Sequence, residues 1–416
     1  MSADDRDATP PDDPALIRDG ARLDHAALPE GAGSLEEGEI IPGVPYHDFV
    51  RAAMECTTEA EFRRSAFYRW HSASLERLLD TPRIVAHPSP RPPEHSPERF
   101  RIVHWNIEKG KQLDRIVERL RSDSLLADGD VYSINEVDVG MARSGNNADV
   151  AQVLAEALGC HHAFVPSYLE CTKGPGEESL APGENTRGWH GLAVLSRWPI
   201  ESARVIPLPH CFDYFAFFEK RYGRRQGLVV RILWEGRPVD VITTHLEVRN
   251  TPQCRARQMD ALLEGLEDGE PSPRVIAGDF NTNSFRRGSL TRSVREFARI
   301  VTTSREGLDR ELCAPYAREP LFALLERRGF VFRELSDGQP TAEQLLGSAE
   351  DLEMLPRPVR SWLSRTFGLG TRVLRMRLDW IAARGWTPLE ARTHSARTPQ
   401  GPASDHAAIH ADLGLE

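Results

Sequence analysis

Several residues suited to chemistry stand at the ends of short apolar runs. Asn106 closes RIVHW, Glu136 follows DVYSIN, and His245 follows VDVITT. Asp279 follows PRVIAG with Asn281 two residues on, Asp379 opens the run after Leu378, and Asp405-His406 precede the last apolar run. Carboxylate and amide oxygens are hard donors suited to Mg2+ or Mn2+, and no Cys/His cluster competes with them. Taken singly, each Asp or Asn reads as a turn or helix cap, because its short side chain bonds neighbouring backbone amides. Polar groups ending several buried strands, however, converge on one sheet edge. There a rigid scaffold fixes them while solvent still reaches them. The ordered combination is what predicts a site.

The elements that must position these groups are legible from periodicity. RIVHW, DVYSIN, GLAVLS, GLVVRILW, VDVITT and PRVIAG read as strands. Leu113, Ile116, Val117 and Leu120 fall at i, i+3, i+4 and i+7, as do Met259, Leu262, Leu263 and Leu266, so each set predicts one face of a helix. Mixed α/β architecture follows, without an internal repeat. Residues 46–86 form a helical segment in which Phe67, Trp70, Leu75, Leu78 and Leu79 recur at helical spacing and predict a packing face. Residues 87–99 are rich in proline, which removes backbone donors, and read as a linker. The main domain is expected over 100–416.

The ordered set HWNIEKG, NEVD, HGLAVLSRWPI, TTHLEVRN, GDFNTNSF, LDWIAARG and SDHAAI resembles the endonuclease/exonuclease/phosphatase (DNase I-like) superfamily. GDFN and SDH are weak alone; the full order is specific. The likeness spans about residues 100–413 and implies a four-layer α/β/β/α sandwich, two mixed sheets flanked by helices, with the N-terminal helical segment as an addition. It also implies a Mg2+-dependent phosphoesterase, Mn2+ being a substitute, that cleaves a phosphodiester or phosphomonoester. A hard cation neutralises charge developing on the phosphoryl group. Within the resemblance Glu136 is the leading metal ligand, with Asn106, Asp405 and Glu108 completing or supporting the sphere. His406 is the general base and Asp379 orients its imidazole. Asp279 protonates the leaving oxygen or positions the nucleophile, while Asn281 and His245 donate hydrogen bonds to phosphate oxygens. His190, at the entry to GLAVLS, is either a substrate contact or a plain loop histidine. Arg255 and Gln258 either tie their helix to a loop or reach phosphate.

Composition bounds the rest. Residues 1–45 are expected to be an acidic, disordered tail. Its first forty residues hold eleven Asp/Glu against three Arg, so they account for most of the chain's net charge of −10 and leave the body near neutral. No apolar leader or spanning stretch is present, so a cytoplasmic protein is the expectation. Cys56, Cys160, Cys171, Cys211, Cys254 and Cys313 show no CxxC pair and read as free thiols. Arg357, Arg360, Arg365, Arg372, Arg375 and Arg377 interleave with Val359, Trp362, Leu363 and Phe367. That segment fits a nucleic-acid backbone, an anionic lipid surface, or a packed helix whose arginines face water. The alternatives in function are accordingly a nuclease on DNA or RNA and a sphingomyelinase-like lipid phosphodiesterase. A non-catalytic phosphate-binding module is disfavoured, because none of the core positions is replaced.

Overall fold

The run Phe100–Asn106 is buried along its whole length, as a strand covered on both faces must be. In the computed structural model, which describes residues 36, 38–267, 272–284, 295, 299–300, 302–345 and 373–415, two mixed sheets lie face to face. The eight-stranded sheet contains β1 (Arg83–Val85), β2 (Phe100–Asn106), β3 (Val131–Val139), β4 (His161–Glu170), β5 (Trp189–Ser196), β7 (Arg221–Gly223), β12 (Trp386–His394) and β13 (Ala408–Leu415). The five-stranded sheet contains β6 (Ile200–Pro207), β8 (Gln226–Trp234), β9 (Arg237–His245), β10 (Arg274–Asp279) and β11 (Asp379–Arg384). Strand order in the larger sheet is β12-β13-β2-β3-β5-β4, with β1 and β7 sharing the far side of β4. In the smaller sheet it is β11-β10-β9-β8-β6. The pairs β2/β3 and β9/β10 are parallel; the others are antiparallel.

Alternation along the strands sorts the core into layers. Ile102, Val131, Val194, Val230, Val241, Val275 and Ile381 meet between the sheets. Val103, Trp105, Tyr132 and Ile134 face outward against Ile116 and Leu120 of helix Leu113–Ser122 and Leu154 of helix Val150–Leu158. On the opposite side Ile242, Ile276 and Trp380 meet Met259, Leu262, Leu263 and Leu266 of helix Pro252–Glu267. Each large side chain so buried contributes about 1.5–3 kcal/mol relative to exposure. The result is the four-layer sandwich expected.

The N-terminal region differs in detail from its reading. The helical segment consists of three helices, Tyr46–Met54, Glu59–Arg64 and Ala66–Asp80. Thr58 forms a capping box with Glu61, and Ser65 caps the third helix by accepting from Tyr68 N. The packed face of that helix is Tyr68, Leu75 and Leu79. Trp70, expected on it, is 85 % exposed, because it lies round the helix from those positions. Residues 83–85 are a strand at the edge of the larger sheet. Within the expected tail, Glu39–Ile41 and Val44–Pro45 pair as short strands, and Ile40 and Ile41 are buried in the outer core. Residues 1–35 lie outside the described residues.

One chemical expectation is overturned. Cys211 and Cys254 are disulfide-bonded, with Cα atoms 6.2 Å apart across 43 residues of sequence. Spacing could not show this, because the segment after β6 is folded back onto helix Pro252–Glu267 only in three dimensions. Cys56, Cys160, Cys171 and Cys313 are free. Among the described residues, no helix is long and apolar enough to cross a membrane.

Candidate active site

Along the inward faces of the strands, hydrocarbon gives way to polar groups at one end. On β2 the alternation runs Ile102, His104, Asn106; on β3 it runs Val131, Ser133, Asn135. In the smaller sheet Val241 leads to Thr243 and His245, and Val275 leads through Ala277 to Asp279. Register then sets three of these groups abreast: His245 pairs with Asp279, and Asp279 pairs with Asp379. Hydrogen bonds clamp the sheets together at this level. Ser133 Oγ and Asn135 Nδ2 donate to Thr243 Oγ1 at 2.8 and 2.9 Å, and Asn135 Oδ1 accepts from Asp279 N at 2.8 Å. Buried polar atoms that satisfy one another in this way hold a rigid geometry.

Asp379 sits between two imidazoles. Its Oδ2 is 2.7 Å from His406 Nδ1 and its Oδ1 is 3.0 Å from His104 Nε2. His104 Nδ1 in turn lies 3.0 Å from the Ser133 carbonyl oxygen. Backbone amides of Leu378 and Asp379 donate to Thr341 Oγ1, which fixes the start of β11. Burial opposes ionisation of Asp379, but His406 beside it holds the carboxyl well below the usual range. For His406, burial would favour the neutral ring, and the Asp379 carboxylate outweighs it, so the imidazole is raised well above its ordinary value. Ser404 completes the support: its Oγ donates to Asn106 O at 2.7 Å and accepts from His406 N at 3.1 Å.

Asp279 forms the second centre. Burial, and then the neighbouring Asp379 carboxylate, push it up to about 7. Its Oδ2 accepts from Asn106 Nδ2 at 3.1 Å and lies 3.5 Å from His245 Nε2 and 3.9 Å from His406 Nε2. Its Oδ1 accepts from Asn281 N at 2.8 Å. Burial, reinforced by the Arg225 cation, depresses His245 well below its ordinary value, which leaves a neutral ring. Asn281 Nδ2 donates to Leu246 O at 2.9 Å.

Glu136 was expected at a strand end. It lies instead within β3, at a break in register between Asn135 and Val137, with φ of 56°. Asn281 (φ 52°) and Glu108 (φ 49°) share this left-handed backbone. Non-glycine residues adopt it at a cost of about 1–3 kcal/mol, and such strain gathers at functional sites. The bulge re-aims the Glu136 carboxylate, whose Oε1 accepts from Asn106 Nδ2 at 3.2 Å.

The cleft, of about 410 Å³, is lined by Glu108, Glu136, His190, His245, Asp279, Asn281, Asp405 and His406 among others. Asn106 and Asp379 stand behind it as supports. Glu108 is raised by burial and then by the Asp405 carboxylate, with Glu136 adding to the effect, so these three carboxylates share one field. A set of oxygen donors with excess negative charge fits a hard divalent cation. Asn106 fits less simply, because its Oδ1 accepts from Glu108 N at 3.1 Å and its amide nitrogen faces Glu136. Service as an oxygen ligand requires the two ends of that amide to exchange. Asp279, Asp379 and His406 also bring ligand atoms within 4.8 Å of one another. Both Asp379 oxygens are already engaged by imidazoles, so that trio reads better as proton-handling groups.

His190 lies on the cleft wall and its Nδ1 is 2.7 Å from Asp138 Oδ1. Arg255 and Gln258 do not reach the cleft. Arg255 is fully buried against Glu319 at 2.6 Å, and Gln258 bonds Glu247 N and Pro209 O. Of the arginine segment, Arg357, Arg360, Arg365 and Arg372 lie outside the described residues. Arg375 pairs with Glu343, and Arg377 is buried with Asp337. His104 was missed by the sequence reading. The available signal was a histidine at an inward position of an otherwise apolar strand, two residues before Asn106.

A mixed four-layer sandwich with this edge defines a class, and the chain belongs to it. Residues 103–406 match the endonuclease/exonuclease/phosphatase family. No curated protein matches the sequence. Among solved structures, the endonuclease/exonuclease/phosphatase from Beutenbergia cavernae is 20 % identical, with TM-score 0.45, covering 76 % of this chain and 72 % of that one. The human Nocturnin catalytic domain with bound sulfate is 17 % identical, with TM-score 0.44, covering 78 % and 100 %. D. rerio TDP2 complexed with single-strand DNA product is 16 % identical, with TM-score 0.43, covering 76 % and 99 %. Family membership rests on the match over residues 103–406.

Proposed function

We propose that this chain is a metal-dependent phosphoesterase that hydrolyses a phosphodiester or phosphomonoester by attack of water. The observation that carries the reading is the His104–Asp379–His406 chain set beside the carboxylate-rich edge at Glu136, Glu108 and Asp405. Those three carboxylates, with Asn106, are the residues that would hold Mg2+ or Mn2+, which supplies charge neutralisation at the phosphoryl oxygens. His406 takes the proton of the attacking water at Nε2 while Asp379 anchors Nδ1. Asp279, held near neutrality, carries a proton that it gives to the leaving oxygen. His245 and Asn281 present N–H groups to the phosphate. The test is a panel of abasic and single-stranded DNA, RNA, sphingomyelin, inositol phosphates and an aryl phosphodiester, assayed with Mg2+, with Mn2+ and with chelator. Activity on at least one ester, lost with chelator and restored by metal, is expected. Full activity in chelator after removal of adventitious metal would sink the metal-dependent reading.

A further inference from the structure

The basic residues in and behind the cleft are not equivalent. Arg143 and Lys109 are saturated by carboxylates: Arg143 meets Asp138, Glu170, Glu178 and Glu219, and Lys109 meets Glu178 and Glu219. Arg221 pairs with Glu219 and Glu170. Arg225 is different. It immediately precedes β8, is 8 % exposed and lines the cleft close enough to His245 to bias its titration. Among the described residues its guanidinium makes one hydrogen bond, from Nη2 to Tyr214 Oη at 3.1 Å. Its Nε is buried without a hydrogen-bond partner, and its ion pair with the Glu247 carboxylate is a long one, at 4.0 Å. A cation taken out of water without a close counter-ion is costly, and guanidinium N–H groups match the oxygens of a phosphate.

Arg225 is also held ready. Tyr214 Oη, which accepts from it, donates to Glu247 Oε1 at 2.8 Å, and Glu247 Oε1 accepts from Arg249 N at 2.8 Å. Tyr168 and Tyr214 flank the guanidinium, with ring centroids 5.7 and 5.6 Å from Cζ. The segment carrying Tyr214 is tied to helix Pro252–Glu267 by the Cys211–Cys254 bond.

We propose that Arg225 grips a phosphate oxygen of the substrate, with Tyr214 and Glu247 holding the guanidinium in place. This rests on the phosphoesterase reading only for the source of the phosphate; the oxyanion site itself is defined by a buried cation whose one carboxylate partner stands at the 4.0 Å limit of an ion pair. Binding of inorganic phosphate to the full chain, measured by calorimetry at fixed ionic strength, tests it without turnover. Arg225→Gln is expected to weaken binding about tenfold to a hundredfold, the range of a lost charged hydrogen bond, and Arg225→Lys to weaken it less. Phosphate affinity in Arg225→Gln equal to that of the wild type overturns the proposal. Should Arg225→Gln fail to fold, Tyr214→Phe leaves the cation in place and removes its anchor. A severalfold loss of phosphate affinity is then expected, and an unchanged affinity overturns the proposal.

Two kinetic arms separate the sources of the phosphate. A rise in KM on an aryl phosphodiester assigns Arg225 to the scissile group. A rise confined to a substrate bearing a second phosphate assigns it to the neighbouring one. Arg225-dependent phosphate binding in a protein that turns over no ester defeats the phosphoesterase reading and leaves this one standing. Turnover with Arg225-independent phosphate affinity does the reverse.

Discussion

Two clusters of buried charge meet at the cleft, and they behave in opposite ways. On one side Asp138, Glu170, Glu178 and Glu219 alternate with Arg143, Arg221 and Lys109. Burial opposes the charges of Arg143 and Glu219 there, but the partners win. Arg143 and the Glu219 carboxyl are each driven deeper into their charged forms, by Asp138 and Arg221 respectively. On the other side, among the described residues, Asp279 and Asp379 are paired with histidines and with no arginine or lysine, and titrations are pushed apart. Asp279 rises to about 7 while Asp379 falls, and His406 rises while His245 drops. A paired cluster spends its electrostatics on holding shape. An unbalanced one keeps protons and charge available for a ligand. His190 stands at the seam, bonded to Asp138 on the first side and facing Glu136 on the second.

The largest expected effect breaks the unbalanced side. His406→Ala should lower turnover by roughly a hundredfold to ten-thousandfold, and Asp379→Asn should also be severe. Combined, they should cost far less than the product of the two, since each disables the same proton transfer. The pH profile adds a sign. His406 must be neutral to accept a proton, and Asp379 raises it, so the acidic limb of kcat should lie above the ordinary histidine value. Asp379→Asn should move that limb to lower pH. A limb that stays in place would detach the pair from the rate.

Breaking the balanced side should instead cost stability. Arg143→Met leaves several carboxylates buried without their shared cation, and should destabilise the fold by about 3–5 kcal/mol in chemical denaturation. Turnover per folded molecule should change much less than in His406→Ala. An equal collapse of both would erase the division drawn here.

His104→Gln probes the support behind the pair. Asp379 would lose one of its two ring partners, and misplacement of the carboxylate should reduce turnover by roughly tenfold to a hundredfold. With less of its charge engaged, Asp379 should pull harder on the His406 proton. The acidic limb should therefore move to higher pH, opposite to Asp379→Asn.

The smallest effect concerns a third, remote cluster of the balanced kind. Burial would raise Glu76, but bonds from Tyr222, Arg224 and Tyr68 bring it to about 2. A carboxyl depressed in the folded state adds stability that is complete above its unfolded value of about 4.5. That stability disappears as pH falls through about 2. Glu76→Gln should flatten this part of the stability–pH curve, measured by urea midpoints between pH 5 and 2, without touching turnover. A curve of unchanged slope would remove Glu76 from the linkage.

What the amino-acid order determined by itself is local and periodic. The inter-sheet strands announce themselves as continuous apolar runs because both faces are buried, and the two helical faces follow from i, i+3, i+4 spacing. Glu136, His245 and Asp279 of the cleft were legible because each follows an apolar run at a position where polarity is otherwise expensive, whereas lining residues such as Tyr214, Glu219 and Arg225 carried no such signal. Tertiary structure decided everything that depends on register and approach. His245, Asp279 and Asp379 stand abreast only because β9, β10 and β11 pair as they do. His104 became a partner of Asp379 only when two sheets closed over it, and Glu136 was redirected by a bulge that its neighbours' identities do not mark. The Cys211–Cys254 pairing and the undersupplied charge of Arg225 belong to the same class. Each is a distance between residues far apart in the chain, and linear spacing carries no measure of that distance until the core is packed.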